Sequence, residues 1–147
     1  IDIKGMKDYG RDDFSKIPNG SPSVENRLAI LWTYGVEKGK ISRQRFVDVF
    51  ATAPAKFNGI FPRKGHIDVG SDADIVIFNP RWKGIISNKT SLHQVDYSIF
   101  EGMEQIGRPE KVYLRGRLVA NEGKFVGVKG QGQYIDGEAY GAAYQNV

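Results

Sequence analysis

The spacing of apolar residues changes character once along the chain, close to residue 60. Before that point, apolar residues recur at helical spacing, which is typical of helices packed on one face. After it, short apolar runs are separated by Gly, Pro, Asn and Ser, which is typical of β-hairpins. Residues 1–20 have no sustained period and are predicted to form a loop with a short turn. The pattern therefore predicts helices followed by strands, the arrangement of an α+β domain.

The first predicted helix follows a Ser-Pro-Ser segment, in which Ser23 is a plausible N-cap. Its apolar face consists of residues at helical spacing, namely Val24, Leu28, Leu31 and Trp32. We expect this helix to end before Gly35 or shortly after it, because glycine and the polar residues that follow favour termination.

The second predicted helix has Ser42 as its N-cap. Its apolar face consists of Phe46, Val47, Val49, Phe50 and Ala53. Pro54 is predicted to stop this helix, because proline lacks an N–H and its ring clashes with the preceding turn. The same proline suits the first turn of a further short helix, which Gly59 is predicted to close at the C′ position.

Several short segments in the second part are predicted to be strands. They are HIDV, ADIVIF ending at Asn79-Pro80, GIIS, and three strands from KVYLRGRLVA and KFVG, with turns at Gly116 and NEG. Residues 127–147 are rich in Gly, Gln and Tyr, and we expect an extended tail that is ordered only where something covers it. Neither the helices nor the strands look self-sufficient, so the chain alone is expected to expose apolar helix faces.

Composition and charge exclude several classes of function. No apolar run approaches the roughly 20 residues needed to span a bilayer, and the first residues lack the apolar centre of a secretion signal. The absence of cysteine excludes disulfides and thiolate metal sites. The net charge of +4 is scattered along the chain, which favours a solvated surface over a nucleic-acid interface. We therefore expect a cytoplasmic protein without nucleic-acid or membrane partners.

The polar residues form no recognisable catalytic motif. His66 and His93 share no metal-binding spacing and are interpreted as independent surface or structural residues. Asp68, Asp72 and Asp74 have some of the spacing of calcium ligands, but no distant bidentate glutamate follows them. Their interpretation as residues of a solvated turn is therefore favoured. The sequence also lacks a nucleophile elbow and a phosphate-binding loop.

Four stretches of the sequence, taken in order, resemble the dihydropyrimidinases and D-hydantoinases, which are cyclic amidohydrolases. They are DFSKIPNGSPSVENRL, APAKFNGIFPRKGHIDVGSDADIVIFNP, VDYSIFEGM and VYLRGRLVANEGKFVG. The resemblance extends from about residue 12 to residue 126. Each stretch alone is a moderate signal, whereas the ordered set is specific.

The resemblance implies an α/β amidohydrolase in which a metal-bearing (β/α)8 TIM barrel is joined to a β-sandwich. Such a barrel takes about 250 residues, so the chain is expected to correspond to the C-terminal portion only. Residues 1–60 would then supply a substrate loop and the last barrel helices, residues 61–126 the sandwich strands, and residues 127–147 an extended tail. The family also implies a homo-oligomer, a tetramer or a dimer. Its basic C-terminal segment is replaced here by GQGQYIDGEAYG, which leaves the details of that contact open.

The same resemblance implies that Asn19, in the IPNG segment, binds the substrate. Its backbone would hydrogen-bond a cyclic amide or imide from the loop after the last barrel strand. The alternative is a turn asparagine before Gly20. The family also implies two metal ions, usually zinc, whose bridging hydroxide attacks the ring carbonyl to give an N-carbamoyl amino acid. Because the family's metal ligands precede the matched region, no catalytic or metal-binding residue is assigned here, and the chain alone is expected to be inactive.

Two classes of function stay open at this point. The first is a hydrolase that opens dihydropyrimidine or hydantoin rings. The alternative is a non-catalytic assembly protein of the collapsin-response mediator type, which shares the C-terminal pattern but lacks the metal ligands. The segments SPSVENRL and VEKGKIS resemble the microbial enzymes more closely.

Overall fold

The computed structural model describes residues 5–139; residues 1–4 and 140–147, including the end of the predicted tail, lie outside the described part. Two 3-10 helical turns come first, then three helices, then four strands. They are the turns Met6–Gly10 and Phe14–Lys16, the helices α1 (Arg27–Leu31), α2 (Arg43–Val47) and α3 (Ala53–Phe57), and the strands β1 (Ile75–Ile85), β2 (Glu104–Leu114), β3 (Arg117–Asn121) and β4 (Lys124–Phe125). The order of helices and strands is as predicted. In this part of the chain, no helix has the length and hydrophobicity to cross a membrane.

α1 continues without a break into a π-helical turn, Trp32–Val36. The prediction that Ser23 caps this helix is wrong, because the helix begins at Arg27 with Asn26 as its N-cap and has no side-chain cap. Ser23 instead begins the preceding turn, where its carbonyl accepts hydrogen bonds from the N–H groups of Asn26 and Arg27, both at 3.1 Å. Val24 lies in that turn and is 79% exposed, so it does not belong to the buried face.

The second helical run begins at Ser42, as predicted, and the Oγ of Ser42 accepts a hydrogen bond from the N–H of Arg45 at 3.0 Å. The predicted stop at Pro54 is wrong, because α2, a π-helical turn at Asp48–Thr52 and α3 follow one another without interruption. The π-helical turn is the physical reason. Its wider ring closes from the N–H of Ala53 to the first carbonyl of the turn, immediately before the proline that has no N–H to donate.

α3 ends at a left-handed glycine, as predicted. Gly59 has a φ of 67°, and the N–H of Ile60 donates to the carbonyl of Ala55 at 2.9 Å, the bond of a Schellman motif. The tail returns to this point, where the N–H of Glu138 donates to the carbonyl of Gly59 at 2.8 Å. Residues 126–139 form neither helix nor strand, and most of them are exposed.

The four strands form one antiparallel sheet in the order β1-β2-β3-β4. β1 extends to Ile85, so the predicted strand end at Asn79-Pro80 and the separate strand GIIS are wrong. The pairing of β1 with β2 is interrupted between Asn79 and Lys83. This irregularity accommodates Pro80, which has no N–H for the ladder.

The predicted strand HIDV is also wrong, because residues 66–69 form bends and a turn instead. The N–H of Ser71 donates to the carbonyl of Asp68 at 3.2 Å, and the N–H of Asp72 donates to the carbonyl of Arg63 at 2.9 Å. These bonds fold the segment back on itself, so that it lies outside the sheet. An apolar-polar alternation as short as HIDV therefore did not outweigh the local turn bonds.

The three strands predicted from KVYLRGRLVA and KFVG are confirmed and belong to β2, β3 and β4. The first hairpin turn has φ values of 47° at Arg115 and 75° at Gly116, and the second has 48° at Glu122 and 80° at Gly123. Two successive residues with positive φ are the mark of a type I′ turn, whose twist matches that of paired strands. β2 begins earlier than predicted, at Glu104, and β4 is shorter than the predicted KFVG because it ends at Phe125.

An aromatic cluster joins the helices to the sheet. The ring centroid of Trp32 lies 5.2 Å from that of Phe46 and 4.7 Å from that of Phe78. The backbone of β2 approaches this cluster at Gly107, which has a φ of 77°. A Cβ atom at Gly107 would lie 2.6 Å from Cζ of Phe78 and 3.0 Å from Cδ1 of Trp32. The strand thus reaches the aromatic rings where it has no side chain.

A buried hydroxyl makes a second link between α1 and the sheet. Thr33 is fully buried. Its Oγ1 accepts a hydrogen bond from the N–H of Ile106 in β2 at 2.9 Å and donates to the carbonyl of Ala29 at 2.7 Å. The hydroxyl therefore provides an acceptor for a partly buried N–H of the strand.

The core of the described residues is small. Its buried apolar side chains are Ala29, Trp32, Phe46, Ala55 and Ile86. In contrast, Val47 is 53% exposed and Val49 is 39% exposed, so the predicted apolar face of the second helix is only partly buried. The expectation that the chain exposes apolar helix faces is confirmed.

Candidate functional site

The IPNG segment lies in an exposed loop, which we call the Asn19 loop and define as residues 17–21. It follows the Phe14–Lys16 turn. Asn19 is exposed, and neither its backbone nor its side chain forms a hydrogen bond with another residue of 5–139. The next residue, Gly20, has a φ of 85°, a conformation that favours glycine.

Asp13 fixes the upstream end of this loop. Its Oδ1 accepts hydrogen bonds from the hydroxyl of Ser15 at 2.7 Å and the N–H of Ser15 at 3.1 Å, and its Oδ2 lies 3.3 Å from Nζ of Lys16. These contacts, with the Ser15 hydroxyl contributing most, lower the pKa of Asp13 because they favour the ionised carboxylate. The charged carboxylate caps the Phe14–Lys16 turn.

A lysine from the Met6–Gly10 turn contacts the Asn19 loop. Lys7 is half-buried. Its Nζ donates to the carbonyl oxygen of Pro18 and to that of Gly20, the latter at 2.8 Å. These two carbonyls stand on either side of Asn19, so one ammonium group holds both flanks of the loop.

The turn that carries Lys7 is itself fixed at both ends. Gly10 is buried, and a Cβ atom there would lie 2.0 Å from Cγ1 of Ile17 and 3.0 Å from its backbone nitrogen. At the other end, the N–H of Gly5 donates to Oδ2 of Asp96 at 2.9 Å. The backbone of the turn therefore lies directly against the Asn19 loop.

The segment between β1 and β2 also contacts the turn that precedes α1. The carboxylate of Glu25 accepts hydrogen bonds from the N–H of Leu92 at 2.9 Å and from the N–H of His93 at 3.4 Å. Together with Asp96, these bonds join the residues on both sides of the Asn19 loop to one connection of the sheet domain.

Two of the three acidic residues that resemble calcium ligands, Asp72 and Asp74, pair with basic residues instead. Nζ of Lys64 lies 2.8 Å from Oδ2 of Asp72 and also contacts Oδ2 of Asp74, while Arg63 Nε is 3.1 Å from Asp72. The bond from Lys64 is the main cause of the lowered pKa of Asp72. Oδ1 of Asp74 accepts a hydrogen bond from the N–H of Arg115 at 2.8 Å. The interpretation of these aspartates as structural turn residues is confirmed.

His66 lies near a serine and an aspartate, but the arrangement does not make a nucleophile. The Nδ1 of His66 is 3.4 Å from Oγ of Ser71, and its Nε2 is 3.9 Å from Oδ2 of Asp68. The Ser71 hydroxyl donates to the carbonyl of Pro62 at 2.8 Å, so its proton is directed away from the imidazole. The ring of His66 packs 4.8 Å from that of Phe61, as expected of a structural histidine.

A metal site does not fit the described residues. Within 5–139, no three side chains of His, Cys, Asp or Glu are grouped closely enough to hold a metal ion. The metal ions that the sequence resemblance implies therefore have no ligand set in this part of the chain. The candidate site is the Asn19 loop and its supports.

Comparison with known proteins identifies the class. The family model described as "Amidohydrolase family" matches residues 15–119, and the chain belongs to that family. Its similar relatives include D-hydantoinases and dihydropyrimidinases, which confirms the resemblance of the four sequence stretches.

The similarity to these relatives is high over a limited part of their length. The D-hydantoinase of Geobacillus stearothermophilus is 50% identical over 142 residues, which are 97% of this chain and 30% of that protein. Dihydropyrimidinase 2 of Caenorhabditis elegans is 48% identical over 130 residues, 88% of this chain and 25% of that protein. A crystal structure of a D-hydantoinase matches with a TM-score of 0.90 and 50% identity, covering 96% of this chain and 31% of the other. The chain thus spans less than a third of each relative.

Sequence reasoning selected Asn19 but missed the residues that hold its loop. Lys7 precedes the matched stretches and belongs to no motif, so nothing in the sequence distinguishes it from other surface lysines. Asp13 and Glu25 lie inside a matched stretch. The only signal for them was a polar residue next to a turn, which is common.

Proposed function

We propose that this chain is the C-terminal portion of a metal-dependent hydrolase that opens dihydropyrimidine or hydantoin rings to N-carbamoyl amino acids, and that Asn19 binds the ring. Family membership and the names of the similar relatives support the reaction class. The observation that carries the role of Asn19 is that the carbonyls on both sides of it are held by Lys7. Asn19 itself is exposed and has no hydrogen-bond partner within 5–139. The names of the relatives give no support to the alternative of a non-catalytic assembly protein.

Peptide geometry decides which way the N–H of Asn19 points. In a trans peptide, the C=O and N–H bonds are antiparallel. The carbonyl of Pro18 is directed at Lys7, and the N–H of Asn19 belongs to the same peptide unit. That N–H is therefore directed away from Lys7. An exposed N–H without a partner is available to a ligand.

A cyclic amide presents a C=O acceptor and an N–H donor side by side on one ring edge. The backbone of Asn19 presents the complementary pair, an N–H donor and a C=O acceptor. Each such bond contributes about 0.5–1.5 kcal/mol net, and a buried partner left without its bond costs about 1–3 kcal/mol, so the pair contributes to affinity as well as to the orientation of the ring. The family resemblance assigns bond cleavage to residues that precede the matched region, outside this chain.

The other parts of the proposal concern the whole protein. Residues 1–60 would contribute the substrate loop and the last helices of a TIM barrel, residues 61–126 strands of a β-sandwich, and residues 127–147 an extended tail. Zinc ions bound by residues outside this chain, a homotetramer or dimer, and a cytoplasmic location complete it. The similarity to the D-hydantoinase structure supports the assignment of the chain to such an architecture.

The role of the Asn19 backbone predicts the effect of removing its N–H. In the full-length protein, Asn19→Pro should raise the KM for dihydrouracil by about 10- to 100-fold, with a smaller change in kcat, because it removes a donor used to bind the ring. Steady-state kinetics of ring opening measures both constants.

Asn19→Ala is the matched control, because it keeps the backbone N–H and removes only the side chain. Its KM should stay within about threefold of the parent value. An equal rise in both variants would show that the side chain binds the substrate. No rise in either variant would leave Asn19 as a turn residue and refute the proposed site.

A further inference from the structure

Lys7 is the one side chain, among the described residues, whose hydrogen bonds reach the carbonyls on both sides of Asn19. We propose that Lys7 is a positioning residue, which holds the Asn19 loop in the conformation that presents the Asn19 backbone to a cyclic amide substrate. This inference rests on the proposed function of Asn19 and adds a residue to it. Lys7 does not touch the substrate in this proposal, because its ammonium group lies on the other face of the loop.

The chemistry of the ammonium group suits this role. It has three N–H donors and no acceptor, so one group can bind two carbonyls at once. A hydrogen bond from a charged donor is stronger than a neutral one. The Pro18 carbonyl and the Asn19 N–H belong to one peptide unit, so the Asn19 N–H cannot turn towards Lys7 without breaking the bond to the Pro18 carbonyl.

In the described part of the chain, no acidic side chain competes with the loop carbonyls for the ammonium group of Lys7. Among the described residues, no carboxylate lies within ion-pair distance of Lys7. Two acidic residues close to Lys7 in sequence pair with other side chains, namely Asp8 with Arg11 at 3.1 Å and Asp13 with Lys16 at 3.3 Å. An exposed lysine would gain little by leaving water for backbone carbonyls alone. A half-buried lysine on a fixed turn, such as Lys7, loses less conformational freedom than an exposed lysine when it binds these carbonyls.

The position of Lys7 is set by contacts that do not involve its side chain. The turn that carries it packs against Ile17 through Gly10 and is bonded to Asp96 through the N–H of Gly5. The backbone of Lys7 is therefore placed independently of its charge. A substitution that removes only the ammonium group should free the loop and leave the turn in place.

The test is a change of Lys7 in the full-length protein, read by kinetics and by hydrogen exchange. Lys7→Met should raise the KM for dihydrouracil roughly tenfold with kcat changed less than about twofold. Lys7→Arg should restore most of the lost affinity, since guanidinium also offers several donors. Amide exchange at Ile17, the amide of the loop that has a backbone acceptor (the carbonyl of Phe14 at 3.1 Å), should become several-fold faster in Lys7→Met.

Lys124→Met is the matched control, because it removes an exposed lysine of β4, which belongs neither to the Asn19 loop nor to the turns that support it. Its KM and loop exchange should equal those of the parent. Should Lys7→Met fold poorly, Lys7→Gln, which keeps one side-chain donor group, should give an intermediate KM.

Two outcomes would overturn the role of Lys7. The first is an unchanged KM in Lys7→Met, and the second is faster loop exchange without any rise in KM, which would make the contact merely structural. The behaviour of Asn19→Pro separates the two proposals. If Asn19→Pro raises KM while Lys7→Met does not, only the positioning role fails, whereas an unchanged KM in both refutes the binding site itself.

Discussion

Gly107→Ala should strongly destabilise the described part of the chain, lowering the free energy of unfolding by about 2–5 kcal/mol. Two effects add. The residue has a φ of 77°, which an alanine adopts only with strain. The new Cβ would also lie 2.6 Å from Cζ of Phe78 and 3.0 Å from Cδ1 of Trp32, so the helices would have to move away from the sheet.

The chain offers a matched control for this change at Gly102. It also has a φ of 77°, but a Cβ atom there would meet nothing within 4 Å. Gly102→Ala should therefore lose only the backbone contribution, about 1–2 kcal/mol. Urea unfolding followed by tryptophan fluorescence would measure both, with Trp32 reporting on the contact itself. Equal losses in the two variants would mean that the packing of β2 against the aromatic cluster is loose.

Thr33→Val is the second large effect, with an expected loss of about 2–4 kcal/mol. Valine has nearly the same shape, so the change removes the hydroxyl and little else. The N–H of Ile106 would then lose the acceptor that lies 2.9 Å away, in a place that water does not reach because Thr33 is fully buried. A buried donor without a partner retains the full cost of its desolvation.

Thr33→Ser separates the hydroxyl from the methyl group. It keeps the hydrogen bonds and deletes one buried methyl, for an expected loss of about 1 kcal/mol. The same unfolding measurement applies. A larger loss for serine than for valine would show that packing, and not the bond to β2, makes Thr33 important.

Local signals accounted for the parts of the fold that sequence reasoning predicted correctly. Ser42 caps its helix, Gly59 ends α3 with positive φ, and the turn at Arg115–Gly116 closes a hairpin. Each depends on the conformational preference of a few adjacent residues. Such preferences are expressed regardless of what packs nearby.

The errors came where distant contacts decide the local structure. Pro54 normally ends a helix, but the π-helical turn before it allows the helix to continue. Asn79-Pro80 normally ends a strand, but eleven residues of β1 are held against an equally long β2 with an irregularity at that point. Neither accommodation has a signature in the residues concerned.

Only part of the candidate site was predicted, because its remaining residues also act through contacts that are distant in sequence. Asn19 was selected because IPNG is part of a recognisable stretch, whereas Lys7 contributes through backbone carbonyls that any sequence possesses. A lysine that binds backbone carbonyls has no partner side chain that could be recognised in the sequence. The role of Lys7 in holding the Asn19 loop is therefore visible only in the structure.

The contact between the tail and the end of α3 narrows the choice of residue at one position. At a helix C′ position, asparagine is the usual replacement for glycine, because it tolerates positive φ. At Gly59, however, a Cβ atom would lie 2.1 Å from the carbonyl oxygen of Glu138. A residue that the helix end tolerates would therefore displace the tail. The choice of residue at position 59 thus depends on two parts of the chain that are far apart in sequence. The helix end and the tail together permit fewer residue types at position 59 than either of them would permit alone.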